Sequence, residues 1–431
     1  MFELKENAEK VEKALLIGIQ RTNDSFEEIS EHLDELAQLV ENIDVEVLKA
    51  INVRLRHPAP RLFIGKGKAE DIAQTCHELG ADVIVFDDDL TPTQQRNWET
   101  LTNVCVIDRT EVILDIFSQR AQTQEARLQV QLARAKYSLP RLTRAWAHLG
   151  RQGGGTGTGQ RGEGEQQIEL DRRQISRRIA HLEKQLKEVR KHRSTQRKLR
   201  RKKPVPVATL VGYTNAGKSS VLNHLTESKV YEADKLFATL DPTTKSITLP
   251  NNQEMLLTDT VGFIRKLPHM LVESFKATLE EAVVSDFLLH IIDINTPNLD
   301  DHLETTTSVL KEIGAQQKDI ILVFNKTDIF EAELDLMRLK KKHPNAFFVS
   351  CRTGEGMEEL RGEIANFLND HLEIVHLQIP LSRADIISLV HRSSDIKKEK
   401  YKDDHVAMTA AVSKALRTKI RDWERQKKVD N

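Results

Sequence analysis

Apolar residues fall into two recurring patterns along the chain, and their alternation suggests the architecture. The run ALLIGIQ (14–20) is short and continuous. In FEEISEHLDELAQLVENI (26–43) the residues Phe26, Ile29, Leu33, Leu36 and Leu39/Val40 recur at helical spacing. AEDIAQTCHELG (69–80) closes on Gly80, as a helix should, and is followed by the apolar run DVIVFDD (82–88). A further run, NVCVIDR (103–109), completes a βαβ-like pattern. Residues 1–112 are therefore expected to form a small α/β domain with a parallel sheet.

The pattern then becomes helical over long stretches. Leu128, Leu132, Ala135 and Leu139 are spaced 4, 3 and 4, with Pro140 as the interruption. Ile175, Ile179, Leu182, Leu186 and Val189 are spaced 4, 3, 4 and 3. Two such stripes predict an antiparallel helical hairpin over 113–203. Its tip would be RQGGGTGTGQRGEGE (151–165), with seven glycines between 153 and 164. Taken alone, such a segment is a flexible connector. Trp146, His148, Arg151 and Arg161 flank it on basic helices, which favours a thin tip that enters a narrow RNA cavity.

KKPVPV (202–207) marks the next boundary. Strand-like runs resume in VATLVGY, MLLTDTVG, FLLHIID, DIILVFNKTD and AFFVSCR, so 204–370 reads as a second α/β domain. Residues 371–431 hold one strand (EIVHLQIP), one helix (ADIISLVHR) and a polar tail helix, a small α+β appendage.

Composition narrows the function classes. With 431 residues the chain should hold more than one domain, and 39% hydrophobic residues suffice for several cores. No run approaches the roughly 20 apolar residues of a membrane span. The N-terminus MFELKENAEK lacks the apolar region of a signal peptide. Cys76, Cys105 and Cys351 have no metal-ligand spacing and read as reduced thiols, so a cytoplasmic protein is expected. The net charge of −1 conceals an asymmetry: residues 120–203 carry 23 Lys/Arg against 7 Asp/Glu, a net +16. RKHRSTQRKLRRKK (190–203) has nine basic residues and no acid. Such a block favours a polyanion, here nucleic acid.

The second α/β domain carries the chemistry. GYTNAGKS (212–219) stands between an apolar strand and a plausible helix, the context a phosphate loop requires. Gly212, Tyr213, Thr214, Asn215, Ala216 and Gly217 would bring backbone amides to the β-phosphate. Lys218 would reach the β- and γ-phosphates, and the Ser219 hydroxyl would bind Mg2+. In DTVG, Asp259 would hold Mg2+ through water, Thr260 and Val261 would line the site, and the Gly262 amide would meet the γ-phosphate. In NKTD (Asn325, Lys326, Thr327, Asp328), Asp328 can accept two hydrogen bonds from guanine that adenine cannot donate in that arrangement. Ser350, Cys351 and Arg352 would bring a backbone amide to guanine O6.

Between these lies FATLDPTT (237–244), which places Phe237, Ala238, Thr239, Leu240 and Asp241 at the first switch. Thr239 is the choice for the Mg2+ and γ-phosphate ligand; Thr243 and Thr244 are alternatives. Lys218, Gly262 and Thr239 are the catalytic candidates. Asn215 is a candidate for a K+ site. Phe263 follows DTVG where Ras-like proteins carry the glutamine that orients the attacking water. Intrinsic hydrolysis should be slow, with the missing groups supplied in trans. FIGKGKAED (63–71) looks like a second phosphate loop but lacks the GxxxxGK[ST] spacing. A glycine-assisted turn before a helix is the simpler account.

GYTNAGKS, FATLDPTT, DTVGFIRKLP and NKTD, together with FIGKGKAED and the glycine-rich segment, resemble the HflX family of translational GTPases over roughly residues 10–370. The resemblance implies a Ras-like P-loop G domain and a cytoplasmic, monomeric GTPase. It also implies binding to the large ribosomal subunit, with the hairpin tip approaching rRNA near the peptidyl-transferase region, and separation or rescue of ribosomes. The competing classes are an RNA-remodelling ATPase, which needs a second nucleotide pocket, and a passive RNA-binding protein with a vestigial G domain.

Overall fold

In the computed structural model, residues 11–144, 160–201, 205–226, 235–266, 268, 279–330, 332–370, 373–412, 416–417 and 420 are described. The chain divides into two compact units. The first comprises 1–189 with 235–237 and 267–275, and the second the remainder.

The first unit is built on a four-stranded, wholly parallel sheet in the order β2-β1-β3-β4. Strand β1 (Lys13–Gln20) is buried along seven of its eight residues, which is why its sequence is a continuous apolar run rather than an alternating one. Helix α1 (Phe26–Glu41) starts at a capping box: Ser25 accepts from the Glu28 amide while the Glu28 carboxylate accepts from the Ser25 amide. Strand β2 (Glu46–Arg54) was not expected. Only Val53 of its nine residues is buried, so EVLKAINVR gives no clear strand period. Then come α2 (Lys66–Leu79), β3 (Val83–Phe86), α3 (Pro92–Thr102) and β4 (Cys105–Asp108). Helix α4 (Arg109–Arg120) begins directly on β4, so the boundary expected at 112 falls inside a helix.

Helix α5 (Gln124–Ser138) ends where Pro140 enters a 3-10 segment, Leu139–Arg144. Helix α6 (Gln160–Arg201) has 42 residues, about 63 Å at 1.5 Å per residue. Leu128, Leu132, Leu182 and Leu186 form one buried cluster, with Ile179 and Val189 against it. Of the expected tip, 151–159 lies outside the described residues, and 160–165 is helical.

The second unit contains a six-stranded sheet, order β10-β9-β8-β5-β7-β6, parallel except for the edge pair β6/β7. Its elements are β5 (Val207–Val211), α7 (Lys218–Thr226), β6 (Thr243–Thr248), β7 (Glu254–Asp259), β8 (Phe287–Asp293), α8 (Leu299–Ile313), β9 (Asp319–Asn325), α9 (Glu333–Lys342), β10 (Phe347–Phe348) and α10 (Met357–Asp370). The five strands expected are present. The addition is β6, whose exposed polar edge hid it.

A separate three-stranded antiparallel sheet closes the described chain: β11 (Glu373–Pro380), β12 (Ser394–Tyr401) and β13 (His405–Val412), order β11-β13-β12, with helix α11 (Ala384–Ser393) against it. Strands β12 and β13 were not expected, while the expected polar tail helix meets helical residues at 416–417 and 420. In β13, HVAMTAAV alternates buried and half-buried positions, as a strand with one covered face does. Most of the chain beyond 412 lies outside the described residues.

Candidate nucleotide site

At the carboxyl end of β5 the backbone turns through three residues of positive φ, Gly212 (+141°), Asn215 (+60°) and Gly217 (+89°), before α7 starts at Lys218. Two of these turns demand glycine. A Cβ on Gly212 would sit 2.1 Å from the Ile291 carbonyl oxygen, and one on Gly217 would sit 2.2 Å from Asn325 Nδ2.

The loop holds Lys218 inward. Its side chain is buried, and Nζ donates to the Tyr213 carbonyl at 2.8 Å. Burial pushes the ammonium down to about 8, against the opposing pull of Asp259. Beneath the loop, His290 of β8 is pushed down to about 3 by burial and by the Lys218 and His302 charges. It is therefore neutral at pH 7, and its Nε2 is buried without a partner among the described residues.

Three oxygens converge beside Lys218. Ser219 Oγ donates to Asp259 Oδ2 at 2.6 Å and lies 2.9 Å from Thr239 Oγ1. Burial raises the Asp259 pKa, while Lys218, Ser219 and Thr239 lower it. Asp259 Oδ1 is buried with no partner among the described residues. Two hydroxyls and one carboxylate are the hard oxygen donors Mg2+ takes when phosphates and water complete its shell. Of the three threonines considered for the first switch, Thr239 is the one in this group. Thr243 begins β6, and Thr244 Oγ1 pairs with Thr258 Oγ1 at 2.9 Å.

Gly262 is pressed against the loop: a Cβ there would lie 2.7 Å from Thr214 Cα and 2.8 Å from Lys218 Nζ. Thr260 turns its hydroxyl back to the Leu210 carbonyl at 2.7 Å, so it ties β5 to β7. Phe263 is buried and holds the loop through its backbone. Its amide donates to the Gly212 carbonyl at 3.0 Å, and its carbonyl accepts from the Thr214 amide at 2.8 Å.

Asn325 joins the phosphate loop to the base loops. Its Nδ2 donates to the Ala216 carbonyl at 3.0 Å, and its Oδ1 accepts from the Cys351 amide at 3.3 Å. Asp328 is oriented by Ser350, whose Oγ donates to Oδ1 at 2.7 Å. Arg352 is 82% exposed and only 3.9 Å from Asp328 Oδ2, a weak surface pair. The backbone of Lys326 takes φ +67°, and its Nζ pairs with Asp293 Oδ2 at 2.8 Å.

The structure brings together Gly212–Ser219, Thr239, Asp259–Gly262, Asn325–Asp328 and Ser350–Arg352, with Ala238, Leu240 and Asp241 flanking Thr239. Two side chains of these segments pack elsewhere. The Phe237 ring stands edge-on to Phe117 within the first unit, centroids 4.8 Å apart, which is a packing contact. The Tyr213 side chain points to Arg265 and His302. Three residues were missed: His290, Asp293 and Asn295, whose Nδ2 donates to the Lys326 carbonyl at 3.0 Å. Their signal was a set of polar residues within or just past the apolar run FLLHIID, which reads as an ordinary strand.

Comparison with known proteins places these features in context. Family profiles match in chain order: "GTP-binding GTPase N-terminal" over 30–118, "GTP-binding GTPase Middle Region" over 120–200 and "50S ribosome-binding GTPase" over 207–326. GTPase HflX of Akkermansia muciniphila is 42% identical, covering 98% of this chain and 99% of that protein. GTPase HflX of Escherichia coli K12 is 42% identical over 96% of this chain and 95% of that protein. Among solved structures, a GTP-binding protein of Sulfolobus solfataricus in complex with GDP is 25% identical, covering 83% of this chain and 99% of that chain with a TM-score of 0.43.

Proposed function

The chain belongs to the HflX family of GTPases and hydrolyses GTP, and we propose that the large ribosomal subunit is both its target and its activator. The observation that carries this reading is the second switch. Phe263 stands where a water-orienting side chain would be needed, and it is buried with its backbone bonded to the phosphate loop. An apolar ring held in that way cannot orient a nucleophilic water, so the chain alone turns over slowly and the missing contribution comes from a partner.

The division of labour follows from the geometry. Asp328, held by Ser350, accepts the two guanine donors, and an adenine in its place would leave the carboxylate unpaired. Lys218 and the amides of 212–219 neutralise the phosphates in a site where burial strengthens each charge. Mg2+ held by Ser219, Thr239 and, through water, Asp259 would neutralise charge on the β- and γ-phosphates. Gly262, packed on Lys218, reports the γ-phosphate to the second switch. A K+ ion beside Asn215 is a finer proposal, tested by comparing turnover in potassium and sodium salts.

The 113–203 segment supplies the contact with rRNA. Its nine-to-zero basic end would neutralise backbone phosphates, and 151–165 would carry the glycine-rich tip toward the peptidyl-transferase region. Separation or rescue of ribosomes is the outcome assigned to that engagement. Sedimentation of the monomeric protein with purified large subunits tests the reading. Binding should depend on a non-hydrolysable GTP analogue, and GTP turnover should rise on addition of subunits. Nucleotide-indifferent binding with no stimulation would overturn it.

A further inference from the structure

The second residue of the phosphate loop has a side chain that the nucleotide reading does not use. Tyr213 is buried, and its phenol oxygen accepts from the Arg265 backbone N–H at 2.7 Å. Its ring lies flat on the His302 imidazole of α8, centroids 3.7 Å apart and planes 6° from parallel. His302 Nε2 is in turn 3.4 Å from Thr296 Oγ1, at the far end of the reach of a hydrogen bond.

These contacts extend a row begun by the backbone. Strands β5 and β7 are paired as far as Leu210 and Asp259. Beyond them, Gly212, Thr214 and Phe263 exchange two further bonds at 3.0 and 2.8 Å. The phenol then takes the amide two residues later. Gly262 lies inside this row, against Thr214 and Lys218. Its amide can serve the γ-phosphate only if held to within a fraction of an ångström.

We propose that Tyr213 is a positioning residue: its phenol and its stack on His302 hold residues 263–265 on the phosphate loop, so that Gly262 is set for a γ-phosphate. The proposal rests on the GTP reading above. It implies a specific asymmetry, because GDP has no γ-phosphate for Gly262 to meet. Loss of the phenol should therefore weaken binding of a triphosphate while leaving a diphosphate alone.

The test uses the full chain and measures affinity for GDP and for a non-hydrolysable GTP analogue. In Tyr213→Phe the ring and stack remain and the bond from the Arg265 amide is lost. The analogue should bind about fivefold more weakly, the worth of one neutral hydrogen bond, with GDP affinity unchanged and kcat reduced. His302→Ala should move the ratio in the same direction by removing the stack, and His302→Phe, which keeps a flat ring, should restore it. An unchanged ratio in Tyr213→Phe and His302→Ala would reduce Tyr213 to packing. Equal loss of GDP and analogue would mean general damage to the loop, and also overturns the proposal. Failure of the wild-type chain to bind either guanine nucleotide would overturn the GTP reading instead, which separates the two.

Discussion

Two segments of this chain place glycines and a lysine just ahead of a helix, and they differ in what surrounds the glycines. In the first unit, Gly65-Lys66-Gly67-Lys68 opens α2. A Cβ on Gly65 or Gly67 would meet nothing within 4 Å, and neither residue has positive φ. In the second unit, Gly212, Gly217 and Gly262 would each carry a Cβ within 3 Å of another atom. Glycine is convenient in one place and obligatory in the other. Individual buried polar groups also differ between the units. In the first unit, Arg109 pairs with Asp87 at 2.9 Å and Glu35 at 2.6 Å, and Asp108 holds Arg141 and Tyr137 at 3.1 and 2.9 Å. In the second, Asp259 Oδ1, Thr214 Oγ1 and His290 Nε2 are buried without partners among the described residues. Burying polar atoms in that state is costly, and a bound polyanion with its cation is what would offset it.

The largest test of this contrast is to remove the lysines. Lys218→Ala takes away a buried charge aimed at the phosphates, so GTP turnover should fall by orders of magnitude. Lys66→Ala and Lys68→Ala should leave it unchanged, as both lysines are exposed on an open turn. A comparable fall from either first-unit variant would give that loop a nucleotide role and revive the ATPase reading. Next in size, Asp328→Asn should weaken GTP binding by about 100-fold or more and shift preference toward xanthosine triphosphate. An amide offers one donor and one acceptor where guanine needs two acceptors. Wild-type GTP affinity in this variant would put the base pocket elsewhere.

How much of this was legible in the sequence depends on whether the partner groups were local. The phosphate loop could be read because strand, turn and helix are contiguous in VATLVGYTNAGKS. Asn325 could be placed in a motif, but its bonds to Ala216 and Cys351 join segments 109 and 26 residues away. The partners of the Tyr213 side chain were hidden for the same reason: Arg265 and His302 are distant in sequence. Strands β2 and β6 escaped because exposed edge strands lack the apolar alternation that marks a covered face. In the case of β2, helix-forming residues such as Glu46, Leu48, Lys49 and Ala50 were overridden by parallel pairing with β1.

A smaller effect separates the two glycine sets directly. Gly217→Ala forces a Cβ into Asn325 at positive φ, and should destabilise the second unit by about 3 kcal/mol. Gly67→Ala fills open space within the first turn of α2, and should stabilise the first unit by up to about 1 kcal/mol. Thermal unfolding of the two variants, compared with wild type, should move in opposite directions. Shifts of the same sign would mean that the open space around Gly67 is not open in solution.

The last effect concerns acid. His290 is held neutral, with its pKa pushed from 6.5 down to about 3 by burial and by the Lys218 and His302 charges. The unfolded chain binds a proton below about pH 6.5 that the native second unit refuses. Its contribution is therefore fully present above that pH and is lost as the pH falls from 6.5 toward 3. At pH 5 the loss amounts to about 2 kcal/mol. Asp108 acts with the opposite sign in the first unit, because burial raises its pKa and the native state takes up a proton first on acidification. Asp259 is raised too, in the second unit, but it is present in wild type and variant alike and cancels in their difference. His290→Leu should therefore remove about 2 kcal/mol of acid sensitivity from the second unit and none from the first. Amide hydrogen exchange along β8 and β1, corrected for intrinsic rates and measured at pH 7 and pH 5 without nucleotide, reads both units in one sample. If wild type and His290→Leu lost protection in β8 equally between the two pH values, His290 would be charged or solvated in the native protein, and the second unit would lose its clearest case of a buried group held neutral.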